Sequence, residues 1–198
     1  MSPAYLDLAA ERSAVRSKRY GQPEDHGYDF RSWVSPYTKG SNASGGIALV
    51  LQDWASADGL GETPHPEIQL HGRAPWLLTN RRLQELLASV LGTNLSAVYA
   101  TNIFPFVKRG RMSAPLPTAE LLGVARRFAV RELELAKPSV VLALGGAAAA
   151  ILQKCNVPAI ALPHPAARIG GLAKHESAWR AALQLGGVEC PAVSGAVV

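Results

Sequence analysis

Four short apolar runs dominate the chain: Ile47 to Leu51, Ala97 to Thr101, Val140 to Leu144 and Ala159 to Leu162. Helical patterns and loops rich in Pro and Gly separate them. A short run with little polar alternation has no side reserved for water, so it reads as a strand covered on both faces. Strands of this kind alternating with helices predict a single three-layer α/β/α domain around a mostly parallel, four-stranded sheet. Three of the runs give way abruptly to a polar residue, namely Asp53, Asn102 and His164. The carboxyl ends of parallel strands lie along one edge of the sheet. An acid, an amide and an imidazole gathered there supply a base, a hydrogen-bond reader and an anion stabiliser.

The segments between the strands fit this scheme. Ala4 to Lys18 has the spacing of a short amphipathic helix, and Tyr20 to Gly46 reads as irregular surface structure. A long polar stretch, Asp53 to Pro75, is a candidate binding loop. A helix capped by Thr79 or Asn80 runs through Leu83, Leu86, Leu87 and Val90 and stops at Gly92. Phe104 to Pro117 forms another Pro-punctuated loop, followed by one long helix from Thr118 to Leu135. Ala147 to Lys154 and Lys174 to Leu185 complete the helices. The expected division is residues 1–46 as an N-terminal helix and irregular segment packed on the domain, 47–186 as the α/β domain, and 187–198 as a flexible tail.

Composition narrows the class. At 198 residues, 48% of them hydrophobic and 18% charged, the chain can bury a sizeable core. Its formal charge of +5 favours polyanionic partners. Only Cys155 and Cys190 are present, without a CxxC pair, which excludes a disulfide framework or a four-cysteine metal or iron–sulfur site built from this chain alone. The amino terminus has no apolar signal core, and no apolar run reaches membrane-spanning length. A cytoplasmic, soluble protein is expected. Gly145-Gly146 follows a strand but lacks the GxGxxG spacing, so close helix–strand packing explains it better than a dinucleotide. His65, His71 and His175 show no metal-ligand spacing and read as surface residues; neither metal nor organic cofactor is expected.

Motifs in order along residues 47 to 184 give the chain a family likeness. Leu51-Gln52-Asp53 is similar to the Gly-Gln-Asp that opens the first motif of the best-known uracil-DNA glycosylases. Gly72-Arg73-Ala74-Pro75-Trp76 resembles the Pro-Phe segment of the thermophile-type family. Val98 to Asn102 resembles its Tyr-Ile-Thr-Asn strand, and Lys137 to Gly145 its Lys-Pro-x-Val-Ile-x-x-Leu-Gly strand. His164-Pro165-Ala166-Ala167 resembles the closing His-Pro-Ser motif. The chain thus resembles the uracil-DNA glycosylase superfamily as a divergent branch. Trp54-Ala55-Ser56 stands where the best-known family has Pro-Tyr-His, so the tyrosine that blocks thymine there is absent. The cysteines of the thermophile-type cluster are missing, and Ala166-Ala167 replaces Ser-Pro.

The resemblance implies a monofunctional glycosylase that extrudes uracil from DNA and hydrolyses its glycosidic bond, initiating base excision repair. Asp53 would orient water and offset charge on the sugar, while His164 would donate to the uracil O2 as it becomes an oxyanion. Asn102 would read the pyrimidine edge, since an oriented amide separates uracil from cytosine. Trp76 would stack on the base, Trp54 is a second stacking candidate, and Gln52 belongs to the same base-recognition group. Lys108, Arg109 and Arg111 would contact phosphates; Ala166, Arg168 and Ile169 would meet DNA, the last two filling the vacated space. The expected partner is DNA holding uracil or an abasic site, bound by a monomer. Three other readings remain open. One is a glycosylase for hypoxanthine, xanthine or mispaired thymine. Another is a low-turnover module that grips uracil or abasic DNA. The last is a small α/β ligand-binding protein unrelated to DNA.

Overall fold

A computed structural model describes residues 2–41 and 44–191. Its elements in chain order are α1 (Pro3–Ala14), β1 (Tyr20–Gly21), β2 (Ile47–Ser56), α2 (Ala57–Leu60), α3 (Pro66–His71), α4 (Leu78–Leu91), β3 (Tyr99–Lys108), α5 (Thr118–Arg127), α6 (Ala129–Ala136), β4 (Val140–Leu144), α7 (Gly146–Lys154), β5 (Ile160–Leu162) and α8 (Leu172–Leu185). A 3-10 turn at Pro36–Gly40 is also important below. The sheet has the order β1-β3-β2-β4-β5. Four strands are parallel, as the apolar runs require, and the two-residue β1 adds an antiparallel fifth on the β3 edge. So short a strand carries no periodicity of its own, which is why the sequence shows only four.

Both faces of the sheet are covered. Along β2, Leu49 and Leu51 face α4 and α8, where Leu83, Leu87, Trp179 and Leu183 are fully buried. Ala48 and Val50 face the opposite layer, built by α1 and α5 to α7 through Leu8, Val124, Phe128 and Leu152. Side chains of successive strand residues point to opposite faces, so an uninterrupted apolar run serves two cores at once.

Several boundaries differ from the sequence reading. The strand expected to end at Leu51 runs through Asp53 to Ser56, so the stretch from Asp53 to Pro75 expected as a loop begins as strand and also holds α2 and α3. The strand expected to end at Thr101 continues to Lys108, despite Pro105. Asp53 pairs with Phe104 and Ala55 with Val107, so three steps on β3 match two on β2. The extra residue is a bulge, the place where a strand tolerates a proline that has no N–H to give. The long helix from Thr118 is also interrupted, at Phe128, whose φ of −123° and ψ of −68° leave the helical region. Its ring packs edge-on against Phe106 at 5.7 Å, and the chain bends to bury it.

Arg12 fastens the N-terminal segment. Its fully buried guanidinium donates to the Trp33 carbonyl at 3.0 Å and to Gln22 Oε1 at 2.8 Å, donates to the Phe30 carbonyl, and pairs with Glu24 at 3.2 Å. A buried cation with all its donors used is tolerated; it holds residues 30–33 in place and so leads the chain into the 36–40 turn. At the other end, Val188 and Cys190 pack on the α4–α8 core, and residues 192–198 of the expected tail lie outside the described residues.

Candidate active site

A cavity of about 370 Å³ opens at the carboxyl ends of β2 and β4. The chain leaves β2 toward β3 on one side, and leaves β4 toward β5 on the other. Such a divergence opens a crevice in an α/β sheet, the usual place for a ligand. Gln52 to Ala55 from β2, Leu144 to Ala147 from β4 and α7, and His164 after β5 line it, facing Tyr37, Arg73, Ala74, Leu77 and Asn80. Leu77 and Met112 are exposed apolar residues of the lining.

Asp53, three residues inside the end of β2, and His164, just after β5, therefore meet in one cavity at the edge of the sheet. The Asp53 carboxylate is 11% exposed and its Oδ2 lies 2.9 Å from Lys108 Nζ. Lys108, expected in an open loop among phosphate contacts, is instead at the end of the extended β3. Its side chain is 3% exposed, and its ammonium is shared between Asp53 and the carbonyl of Met112. The correction has a simple cause. The bulge at Pro105 lets β3 continue beside β2, and Lys108 then pairs in register with Ser56. Arg109 and Arg111 are exposed on the loop that follows, which is tied to α2 by the Asp58 N–H donating to the Gly110 carbonyl at 3.2 Å.

His164 is held in one tautomer. The Ala166 N–H donates to its Nδ1 at 3.2 Å, so the neutral ring carries its proton on Nε2. Burial lowers its pKa below the ordinary histidine value, against the opposing pull of the Asp53 charge. Gly145, at φ +98°, lets the ring approach β4, for a Cβ there would lie 3.2 Å from the His164 Cβ. Three side chains hold the backbone around it. Trp179 Nε1 donates to the Pro163 carbonyl at 3.0 Å, Arg82 Nη1 to that of Pro165 at 3.3 Å, and His175 Nε2 lies 3.0 Å from that of Ala167. His175 is thus a fully buried strut rather than the surface residue its sequence context indicates. Its spacing from Trp179 on one face of α8 was the available signal. Beyond His164 the loop is open: Arg168 and Ile169 are exposed and Ala166 half-buried.

The aromatic candidates separate. Trp54 lines the cavity but is anchored in the core, its indole N–H donating to the Gly72 carbonyl at 2.7 Å. Trp76 does not line the cavity; it is 47% exposed and packs against the His65 ring at 4.2 Å. Gln52 contributes to the lining.

Asn102 does not stand where the sequence reading puts it. It lies within β3 rather than at its end, its Oδ1 accepts from the Ser35 hydroxyl at 2.9 Å, and its Nδ2 is buried without a partner. It is not among the cavity residues. A different amide is: Asn80, expected as a helix cap, sits inside the first turn of α4, where Leu77 is the cap position. Its Nδ2 donates to the Ala74 carbonyl at 2.7 Å, and its Oδ1 accepts from the Tyr37 hydroxyl. Gly72, at φ +67°, makes this wall possible, since a Cβ there would fall 1.7 Å from the Pro36 carbonyl oxygen.

Among the described residues, no three His, Cys, Asp or Glu side chains are grouped to hold a metal ion, and no helix is long and apolar enough to cross a membrane. No curated protein matches the chain. The family model of the uracil DNA glycosylase superfamily matches residues 60–184, which starts beyond Asp53 but takes in Arg73, Asn80, all of β3 and β4, and His164. Spanning well over half of the chain and most of the cavity wall, this match establishes that the protein belongs to the uracil DNA glycosylase superfamily.

Proposed function

We propose that this protein is a DNA glycosylase that hydrolyses the N-glycosidic bond of uracil turned out of DNA. The superfamily supports glycosylase chemistry on DNA; the choice of uracil is the further step. One observation carries it: an acid and a neutral imidazole with its proton on Nε2 share one strand-end cavity.

Breaking the C1′–N1 bond leaves positive charge on the sugar and negative charge on the base. His164 Nε2–H donates to the O2 of the departing uracil, and a neutral donor suffices because it strengthens as the oxyanion develops. The amino end of α7 adds to this. Gly146 and Ala147 line the cavity, and the first N–H groups of a helix have no partner within it, so they present partial positive charge. Asp53, held through Oδ2 by Lys108, faces the sugar side, where it orients water for attack at C1′ and offsets the cationic charge. Extrusion of the base costs a few kcal/mol. Arg168 and Ile169, both exposed, would fill the gap in the duplex, and exposed Arg109 and Arg111 would attract its phosphates.

A second reading follows from Ala55, a small residue of the cavity lining at the position of the thymine-blocking tyrosine. It favours admission of thymine or hypoxanthine as well. Single-turnover cleavage of matched oligonucleotides holding U·G, U·A, single-stranded U, T·G or hypoxanthine tests both. Alkali-sensitive breaks at uracil, absent with Asp53→Asn, are expected. Cleavage at another base alone transfers the assignment to that base. Tight retention of uracil or abasic DNA without cleavage refutes turnover as the function.

A further inference from the structure

We propose that Asn80, positioned by Tyr37, reads the base by its adjacent N–H and C=O groups, and that Asn102 does not. The inference rests on the glycosylase reading and names the group that recognises its substrate. A primary amide has two N–H donors and two acceptor sites on its oxygen. On Asn80 one donor is engaged by the Ala74 carbonyl and one acceptor site by the Tyr37 hydroxyl. One donor and one acceptor site remain on the amide of a residue that lines the cavity. The Ala74 carbonyl can only accept, so it fixes which end of the amide is nitrogen. Tyr37 is buried, which raises its pKa and keeps the phenol a donor, so it fixes the oxygen end. Both ends of the amide are therefore oriented before a base arrives.

A free donor beside a free acceptor complements a lactam edge, in which a ring N–H lies next to a keto oxygen. Uracil presents it as N3–H and O4, thymine identically, and hypoxanthine as N1–H and O6. Cytosine presents a bare N3 beside an amino group, and donor then meets donor. Arg73 strengthens the preference. It belongs to the same wall, its guanidinium lies over the Tyr37 ring at 5.9 Å, and its Nε has no partner. A cation beside the reader favours a keto oxygen and disfavours an amino group. Asn102 has the residue type for this work, but it is buried outside the cavity lining.

The test is binding of methylated free bases, followed by quenching of tryptophan fluorescence and confirmed by calorimetry. Wild-type protein should bind 1-methyluracil about tenfold or more tightly than 3-methyluracil, which lacks the N3–H, or 1-methylcytosine. Asn80→Ala should bring the three ligands within about twofold, Tyr37→Phe should narrow the gap, and Asn102→Ala should leave it intact. The ligand comparison on wild-type protein needs no variant to fold. Equal binding of the two methyluracils overturns the inference, as does loss of discrimination in Asn102→Ala with retention in Asn80→Ala. Failure to bind 1-methyluracil up to its solubility limit also overturns it. Cleavage of uracil DNA by the same preparation then leaves the glycosylase assignment standing, and absence of cleavage removes both.

Discussion

Replacing Lys108 by Met leaves the Asp53 carboxylate without its partner and the Met112 carbonyl without its donor. At 2.9 Å and an effective dielectric constant of about 20, the attraction between the two charges is about 6 kcal/mol before desolvation is subtracted. Lys108 is 3% exposed and Asp53 11%, so water cannot fully replace what is lost. Breaking such a pair from one side costs about 3–5 kcal/mol, because a charge remains buried and unpaired. A protein of this size, stable by about 5–15 kcal/mol, then remains folded and measurable. Lys108→Met is expected to lose about 3 kcal/mol, and Asp53→Asn a similar amount through the stranded ammonium. The double variant strands neither charge and is expected to lose no more than either single one. Urea unfolding monitored by tryptophan fluorescence gives all four corners of the cycle. If the double variant's loss equals the sum of the single losses within about 0.5 kcal/mol, the two groups are not coupled and the buried-pair argument fails.

His164→Ala should slow single-turnover cleavage at least tenfold and up to about a thousandfold, with DNA affinity little changed; an unchanged rate removes it from the mechanism. Because burial lowers the pKa of His164, the acid decline of wild-type cleavage should be centred below the ordinary histidine value of 6.5. A decline centred above pH 6.5 contradicts the neutral donor. Glu132 is fully buried beneath the hydroxyls of Thr38, Tyr99 and Thr101, and its pKa is raised to about 7, chiefly by burial. The folded state thus holds a proton that the unfolded chain releases near pH 4.5, so stability falls as pH rises from 4.5 to about 7, by about 3 kcal/mol. Glu132→Gln should abolish that part of the slope; unfolding free energies at pH 5 and pH 8 that change equally in both proteins refute it. Changing Arg109 and Arg111 together should reduce the slope of log K against log salt by about 2 if each meets a phosphate, whereas Lys108→Met should leave it unaltered. A slope that falls with Lys108→Met instead restores that lysine to the phosphate track.

Much of the fold was legible because it depends on local pattern. Val140 to Leu144 has the boundaries of β4, and Gly92 ends α4, as their residues indicate. Asp53 and His164 share a cavity because an address toward the carboxyl end of a buried parallel strand is already an address in space, although β2 runs three residues beyond Asp53. Lys108 was misplaced because a proline signals the end of a strand unless a neighbouring strand accommodates a bulge, and that neighbour is about fifty residues earlier. His175 looked like a surface residue because nothing near it in the chain records the carbonyl of Ala167 that it meets.

The amides show where the division lies. Sequence alone determined that the chain would form a doubly covered parallel sheet with polar groups along one edge, since apolar periodicity fixes which residues avoid water. It did not determine which amide lines the cavity. That was decided when the 36–40 turn packed against Gly72, placing Tyr37 beside Asn80 and leaving Asn102 behind with Ser35. A hydrogen bond between residues separated by 43 positions follows from how three segments pack together, so only the tertiary structure contains it.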